Sequence, residues 1–168
     1  HEFSKKTIEI LNRIRDQKPL IHHITNFVVM NSTANVTLAI GASPIMAHAH
    51  EEVDVISTFS RALNLNIGTI SPYWLDSMLI AGKVAGERGI PIILDPVGSG
   101  ATPLRTEAAK RILSELPVTV IRGNASEILS LFTNENKIRI RGVDSLEKAD
   151  TVRDGATRLA KELKKIIA

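Results

Sequence analysis

Two short apolar runs, Ile90–Leu94 and Val118–Ile121, stand on either side of one helical stretch, and that arrangement limits the folds open to this chain. Each run closes on a turn signal, Asp95-Pro96 after the first and Arg122-Gly123 after the second. A short apolar run bounded by turn residues reads as a strand buried on both faces. Between them Thr106–Leu116 has helical spacing, with Ala108, Ile112 and Leu116 on one side. Strand, helix and strand make a βαβ unit, whose strands run parallel and whose crossover is right-handed. Asp95, Arg122, Asn124 and Glu127 then fall near the carboxyl ends of strands, where open α/β sheets bind ligands. Two carboxylates, a guanidinium and the glycine-rich turn Gly98-Ser99-Gly100 on one edge suit a phosphorylated, metal-bearing ligand.

The rest of the chain alternates in the same way. Ser4 can cap a first helix with an apolar stripe of Ile8, Leu11 and Ile14. Further strands are predicted over 19–24, 43–47 and 62–67. The last of these alternates Leu63, Leu65 and Ile67 with Asn64 and Asn66, which gives it one partly polar face. Helices are predicted over Asn31–Ile40, closed by Gly41, and from Glu51-Glu52 through Phe59. Ser71-Pro72 is an N-cap followed by proline at the first helical position, and Leu75, Met78, Leu79, Gly82 and Ala85 continue as a stripe to Gly89. After Glu127 the spacing predicts a helix to about Phe132, a polar loop over Asn134–Arg141 and a last helix over roughly Leu146–Lys165. Ile166-Ile167-Ala168 looks like the opening of another strand, too short to be a finished element. The expectation is a single α/β domain over 1–168, with a mostly parallel sheet flanked by helices, that stops inside its fold.

Composition narrows the function classes. A chain of 168 residues can bury roughly 70% of its unfolded surface. Its net charge of +3 is spread without a basic run of five, and one Trp, one Tyr and four Phe leave little to stack on bases. Nucleic acid is therefore not an expected partner. The absence of cysteine excludes a disulfide scaffold and a cysteine-rich zinc site. His1-Glu2-Phe3 opens no signal peptide, and no apolar run has the length of a membrane span, so a cytoplasmic protein without membrane contact is expected. The pairs His22/His23 and His48/His50 lack the i, i+4 helical spacing of a zinc site and lie on separate strand ends. One or more of them is expected at a pocket rim or a subunit contact instead.

Several site residues admit two readings. Asn124 and Glu127, three apart at a helix start, fit a capping box as well as a pair of groups facing a hydrated cation. Asp95 can begin a turn with Pro96 or face a ligand, and Arg122 can make a surface ion pair or hold phosphate oxygens. Gly98 and Gly100 serve a turn as readily as an anion.

Five segments, taken together, are more specific. Pro19-Leu-Ile-His-His-Ile-Thr-Asn26-Phe-Val-Val-Met30-Asn31, Gly41-Ala-Ser-Pro-Ile-Met46-Ala-His48, Leu65-Asn-Ile-Gly68-Thr-Ile-Ser71-Pro72, Asp95-Pro-Val-Gly98-Ser-Gly100-Ala-Thr-Pro103 and Ile121-Arg122-Gly-Asn124-Ala-Ser-Glu127 occur in order. They closely resemble hydroxyethylthiazole kinase, a thiamine-salvage family of the ribokinase-like superfamily, from Pro19 to the C-terminus. The resemblance implies a ribokinase-like layered fold and transfer of the ATP γ-phosphoryl to the hydroxyl of 4-methyl-5-(2-hydroxyethyl)thiazole. It also implies Mg²⁺ and a homotrimer with the thiazole bound between neighbouring subunits. Residue by residue, it implies Asn26, Val28, Met46 and Gly68 at the thiazole, Arg122 and Asn124 at ATP, and Asp95 and Glu127 at the metal. The family's glycine-rich anion hole and its cysteine near the acceptor hydroxyl have no counterpart in these residues, so no catalytic base is assigned. The alternative expectation is a non-catalytic thiazole-binding or trimer-assembly module that lost phosphoryl transfer.

Overall fold

The computed structural model describes residues 2–131, 153, 154, 156, 157, 160, 161 and 166–168. Strand and helix alternate as α1 (Glu2–Gln17), β1 (Leu20–Ile24), α2 (Met30–Ala39), β2 (Ser43–Ile45), α3 (Val53–Phe59), β3 (Ala62–Asn66) and α4 (Pro72–Glu87). There follow β4 (Ile92–Asp95), α5 (Pro103–Glu115), β5 (Val120–Ile121), α6 (Ala125–Ser130) and β6 (Ile166–Ile167). The polar loop predicted over 134–141 lies outside the described residues. Of the last helix predicted over 146–165, the six described residues are helical.

The sheet is parallel throughout, in the order β2-β1-β3-β4-β5-β6. The βαβ unit is present as expected, with Ile93 opposite Val120 and Leu94 opposite Ile121. β4 starts two residues later than its apolar run, since Pro91 has no N–H. Pro91 contributes only its carbonyl, which accepts from the Leu63 N–H at 3.0 Å. The short terminal run does form a strand. Ala168 N–H donates to Ile121 O at 2.9 Å and Gly123 N–H to Ala168 O at 3.1 Å, so a partner strand supplies what length alone does not.

Right-handed crossovers set the layers. The step from β1 out to β2 puts α2 on one face, and the returns through β3, β4 and β5 put α3, α4 and α5 on the other. α4 packs against both α3 and α5. Leu63, Leu65, Ile67, Ile92, Leu94 and Ile121 point to that second face and are fully buried against Met78, Ala81, Ala85, Ala108 and Ile112. Each such side chain contributes about 1.5–3 kcal/mol by leaving water. The opposite face carries Asn64, Asn66, Ile93, Asp95, Val120 and Arg122, and only Asn66 among them is buried. β4 is therefore sealed on one face by the described residues, not on both. The alternation in β3 falls as read, leucines inward and asparagines outward.

Local signals set the helix ends. Ser71 Oγ accepts from Trp74 N–H and Thr102 Oγ1 from Arg105 N–H, each with proline next at the first helical position. Gly41, at φ +98°, closes α2 in the left-handed region. The predicted stripe of α1 behaves differently: none of its residues is buried, and Ile8 is 57% exposed. No described helix is long and apolar enough to cross a membrane.

Candidate active site

The carboxyl ends of β1, β3, β4 and β5 open into one cleft of about 1060 Å³. Its walls include Asn26, Asn66, Gly68, Asp95, Arg122 and Glu127. Parallel strands deliver these groups to one edge because the register places Asn66 opposite Asp95 and every strand points the same way.

A continuous row of hydrogen bonds crosses four strand ends. Asn26 Oδ1 accepts from the Val28 and Val29 N–H groups at 2.9 and 3.1 Å, and Asn26 Nδ2 donates to Asn66 Oδ1 at 2.7 Å. Asn66 Oδ1 also accepts from Gly68 N–H at 2.9 Å, while Asn66 Nδ2 donates to Asp95 Oδ2 at 3.0 Å. Arg122 reaches the same oxygen from the other side at 3.0 Å. Asp95 is the sink of the row. Its Oδ1 takes no hydrogen bond from the described residues. Burial is the main influence on this carboxyl and raises its pKa above the ordinary 3.8; the neighbouring Glu127 charge adds to the rise, and Arg122 and Asn66 oppose it. The Arg122 side chain is 70% exposed against 15% for Asp95, so this pair adds little to stability and leaves the guanidinium open to a ligand.

Glu127 is held differently. Its Oε2 accepts from Asn124 N–H at 2.9 Å, and Asn124 Oδ1 accepts from Glu127 N–H at 2.9 Å, a complete capping box for α6. Its Oε1 accepts from Gly98 N–H at 2.8 Å, which ties the turn after β4 to α6. Each carboxylate oxygen thus carries one backbone N–H and keeps lone-pair capacity besides.

The histidines are built into the fold. His22 Nε2–H donates to Ala47 O at 2.8 Å, leaving Nδ1 to accept from Ser57 Oγ at 3.1 Å. His23 Nδ1 accepts from Asn64 Nδ2 at 3.1 Å, and Nε2–H faces Thr37 Oγ1 at 3.2 Å. Both rings are neutral in these tautomers. Burial lowers both pKa values, with His22 as a second influence on His23, which falls from 6.5 to about 4. As pH falls, the unfolded chain then takes up protons before the folded one. The contribution of His23 is complete above pH 6.5 and is lost between 6.5 and about 4. Urea denaturation at about pH 7 and about pH 4.5 should show wild type losing more stability than His23→Gln over that interval. Equal losses would show that His23 does not titrate there. His48 stacks on Trp74 at 4.6 Å between centroids, and His50 on Tyr73 at 3.9 Å.

Residues 11–168 match the profile of the hydroxyethylthiazole kinase family. The chain belongs to that family. It is 67% identical over 168 residues to a hydroxyethylthiazole kinase of Desulfosudis oleivorans, covering 100% of this chain and 61% of that one. A Caldivirga maquilingensis relative of the same name is 55% identical over 152 residues, covering 90% of this chain and 56% of the relative. The solved hydroxyethylthiazole kinase of Pyrococcus horikoshii superposes with a TM-score of 0.85 at 43% identity, over 98% of this chain and 60% of that chain. The chain spans about three-fifths of the length of these relatives.

Against the family expectation, the fold gathers Asn26, Val28, Gly68, Asp95, Arg122, Asn124 and Glu127 around the one cleft. Met46 lies one residue past β2, half-buried, and does not line it. The sequence marks Asn66 only by its polar place in the β3 alternation, two residues before Gly68. Gly68 has a concrete steric reason. A Cβ there would stand 2.5 Å from Asn26 Nδ2 and 2.8 Å from Asn26 Cγ. Gly68→Ala should therefore displace the Asn26 side chain and break its bond to Asn66. Such overpacking costs about 1–3 kcal/mol, and a urea midpoint unchanged from wild type would contradict the close approach.

Proposed function

We propose that this chain carries the acceptor-side and phosphate-side residues of a kinase that moves the ATP γ-phosphoryl to the hydroxyl of 4-methyl-5-(2-hydroxyethyl)thiazole, the phosphorylation step of thiazole salvage for thiamine. One observation carries the reading: a single hydrogen-bonded row joins Asn26, on the neutral-acceptor side, to Asp95 and Arg122, on the anion side. Phosphoryl transfer asks for positioning and charge stabilisation more than for covalent chemistry, and a fixed row across one cleft supplies positioning.

The residues have separate tasks. Asn26 keeps one amide hydrogen beyond its bond to Asn66 and can present it to the acceptor. Val28, 84% exposed beside it, offers an apolar wall to a flat heterocycle. Arg122 supplies a planar fork for phosphate oxygens. The donor set fits Mg²⁺: Asp95 has an oxygen that no described residue engages, and the Glu127 carboxylate lies close enough for its charge to raise the Asp95 pKa. Asp95, with Glu127 through water, would hold the ion, which when bound neutralises phosphate charge. Exposed Phe27 and Val28 and the half-buried Met46 are the surface we assign to a neighbouring subunit of a cytoplasmic homotrimer with shared thiazole pockets.

Calorimetric titration of the chain with the thiazole alcohol, and separately with Mg·ATP, tests the reading. Saturable binding of both supports it, whereas binding of the alcohol alone favours the non-catalytic thiazole module. Binding of neither overturns it.

A further inference from the structure

The amide orientations in the row are decided by the backbone. Gly68 N–H can only donate, so the atom of Asn66 that meets it at 2.9 Å is the oxygen. The NH₂ of Asn66 must then face Asp95, where a carboxylate oxygen waits at 3.0 Å. At the other end the Val28 and Val29 N–H groups fix Asn26 in the same way, which turns its NH₂ toward the Asn66 oxygen. Asn66 is 7% exposed and sits at the centre, with one oxygen accepting twice and its NH₂ donating once toward the anion side. No other residue type of this size accepts on one side while donating on the other. Serine is too short to span the gap, aspartate has no donor when ionised, and leucine has neither function.

We propose that Asn66 is a positioning residue of the acceptor pocket: its carboxamide oxygen sets the Asn26 side chain and the Gly68 backbone, and its NH₂ ties both to Asp95. Although it lies in the cleft wall, Asn66 is only 7% exposed, and its assigned action is through Asn26. This inference rests on reading the cleft as the thiazole site.

The test is a double-mutant cycle on thiazole-alcohol affinity, measured by calorimetry in EDTA so that neither metal nor turnover enters. Asn26→Ala and Asn66→Ala should each weaken binding by about tenfold or more, the scale of a lost buried hydrogen bond. The double variant should lose no more than the worse single one, because both changes disable the same contact. Asn66→Leu preserves side-chain volume and removes both hydrogen-bonding functions, so it should weaken binding as much as Asn66→Ala does. A purely structural role would lower the melting temperature of both Asn66 variants and leave the affinity of the folded protein unmoved. Additive losses in the double variant, or a folded Asn66→Leu variant that binds as tightly as wild type, overturn the proposal while leaving the thiazole site intact. If wild type itself fails to bind the alcohol, the functional reading falls, and this inference with it.

Discussion

Asp95→Asn should leave the chain as stable as wild type, or more stable, while removing at least two orders of magnitude of phosphoryl transfer in a chain of the relatives' length. The stability half follows from the sign of the pKa shift. A carboxyl whose folded-state pKa is raised above 3.8 binds its proton more readily folded than unfolded, so its ionised form opposes folding at neutral pH. Asparagine removes the charge and keeps an oxygen for Asn66 and Arg122. The lost ion pair is small, because the Arg122 side chain is 70% exposed. The activity half follows from the assigned task, since an anionic oxygen that helps hold a phosphate-bound cation is worth several kcal/mol in the transition state. Thermal melts give the first half and single-turnover phosphorylation gives the second. A large drop in melting temperature would show that the Asp95 charge supports the fold, and near-normal turnover would remove Asp95 from the site. A stability cost accepted for function is the usual signature of such a group.

Glu127 should behave in the opposite sense on stability. Glu127→Ala removes the acceptor for Asn124 N–H and for Gly98 N–H together, and should cost about 2–4 kcal/mol from a lost cap and a part-buried donor left unpaired. A glutamine looks harmless from the sequence, because capping boxes accept Glu or Gln. The structure predicts otherwise. Both carboxylate oxygens receive a backbone N–H, at 2.9 and 2.8 Å, and a glutamine would turn its NH₂ against one of them. Glu127→Gln should therefore cost about 1–3 kcal/mol in urea denaturation. In the longer chain, turnover of Glu127→Gln at limiting Mg²⁺ should also fall by about two orders of magnitude and recover partly as Mg²⁺ is raised. An unchanged urea midpoint would deny the second backbone contact. Normal turnover at limiting Mg²⁺ would make Glu127 a structural tie alone.

How much of this was legible beforehand differs by residue. The βαβ unit, the parallel sheet, the Ser71-Pro72 helix start and the inward leucines of β3 follow from periodicity and local turn chemistry. Those signals depend on neighbours within a few positions along the chain, so they are written locally. The clustering of Asp95, Arg122 and Glu127 was legible for the same reason, since parallel topology sends strand ends to one edge whatever lies between. The buried reading of β4 on both faces was not met by the described residues, because a run of isoleucines records hydrophobicity without recording what covers it. The α1 stripe is a similar case.

What the sequence by itself determined, then, is the order of elements, the sheet edge where the cleft opens and the family to which the chain belongs. Only the tertiary structure decided how those residues share their hydrogen bonds. Asn66 is one polar position among several in the sequence, and it became the centre of the row when register set it between Asn26 and Asp95. The capping box of Asn124 and Glu127 is local, whereas the bond from Gly98 N–H to the other oxygen of Glu127 comes from 29 residues earlier in the chain. The physical reason is range. Capping and periodicity act over one helical turn or one strand repeat, whereas a hydrogen bond between strand ends exists only after the intervening chain has been placed.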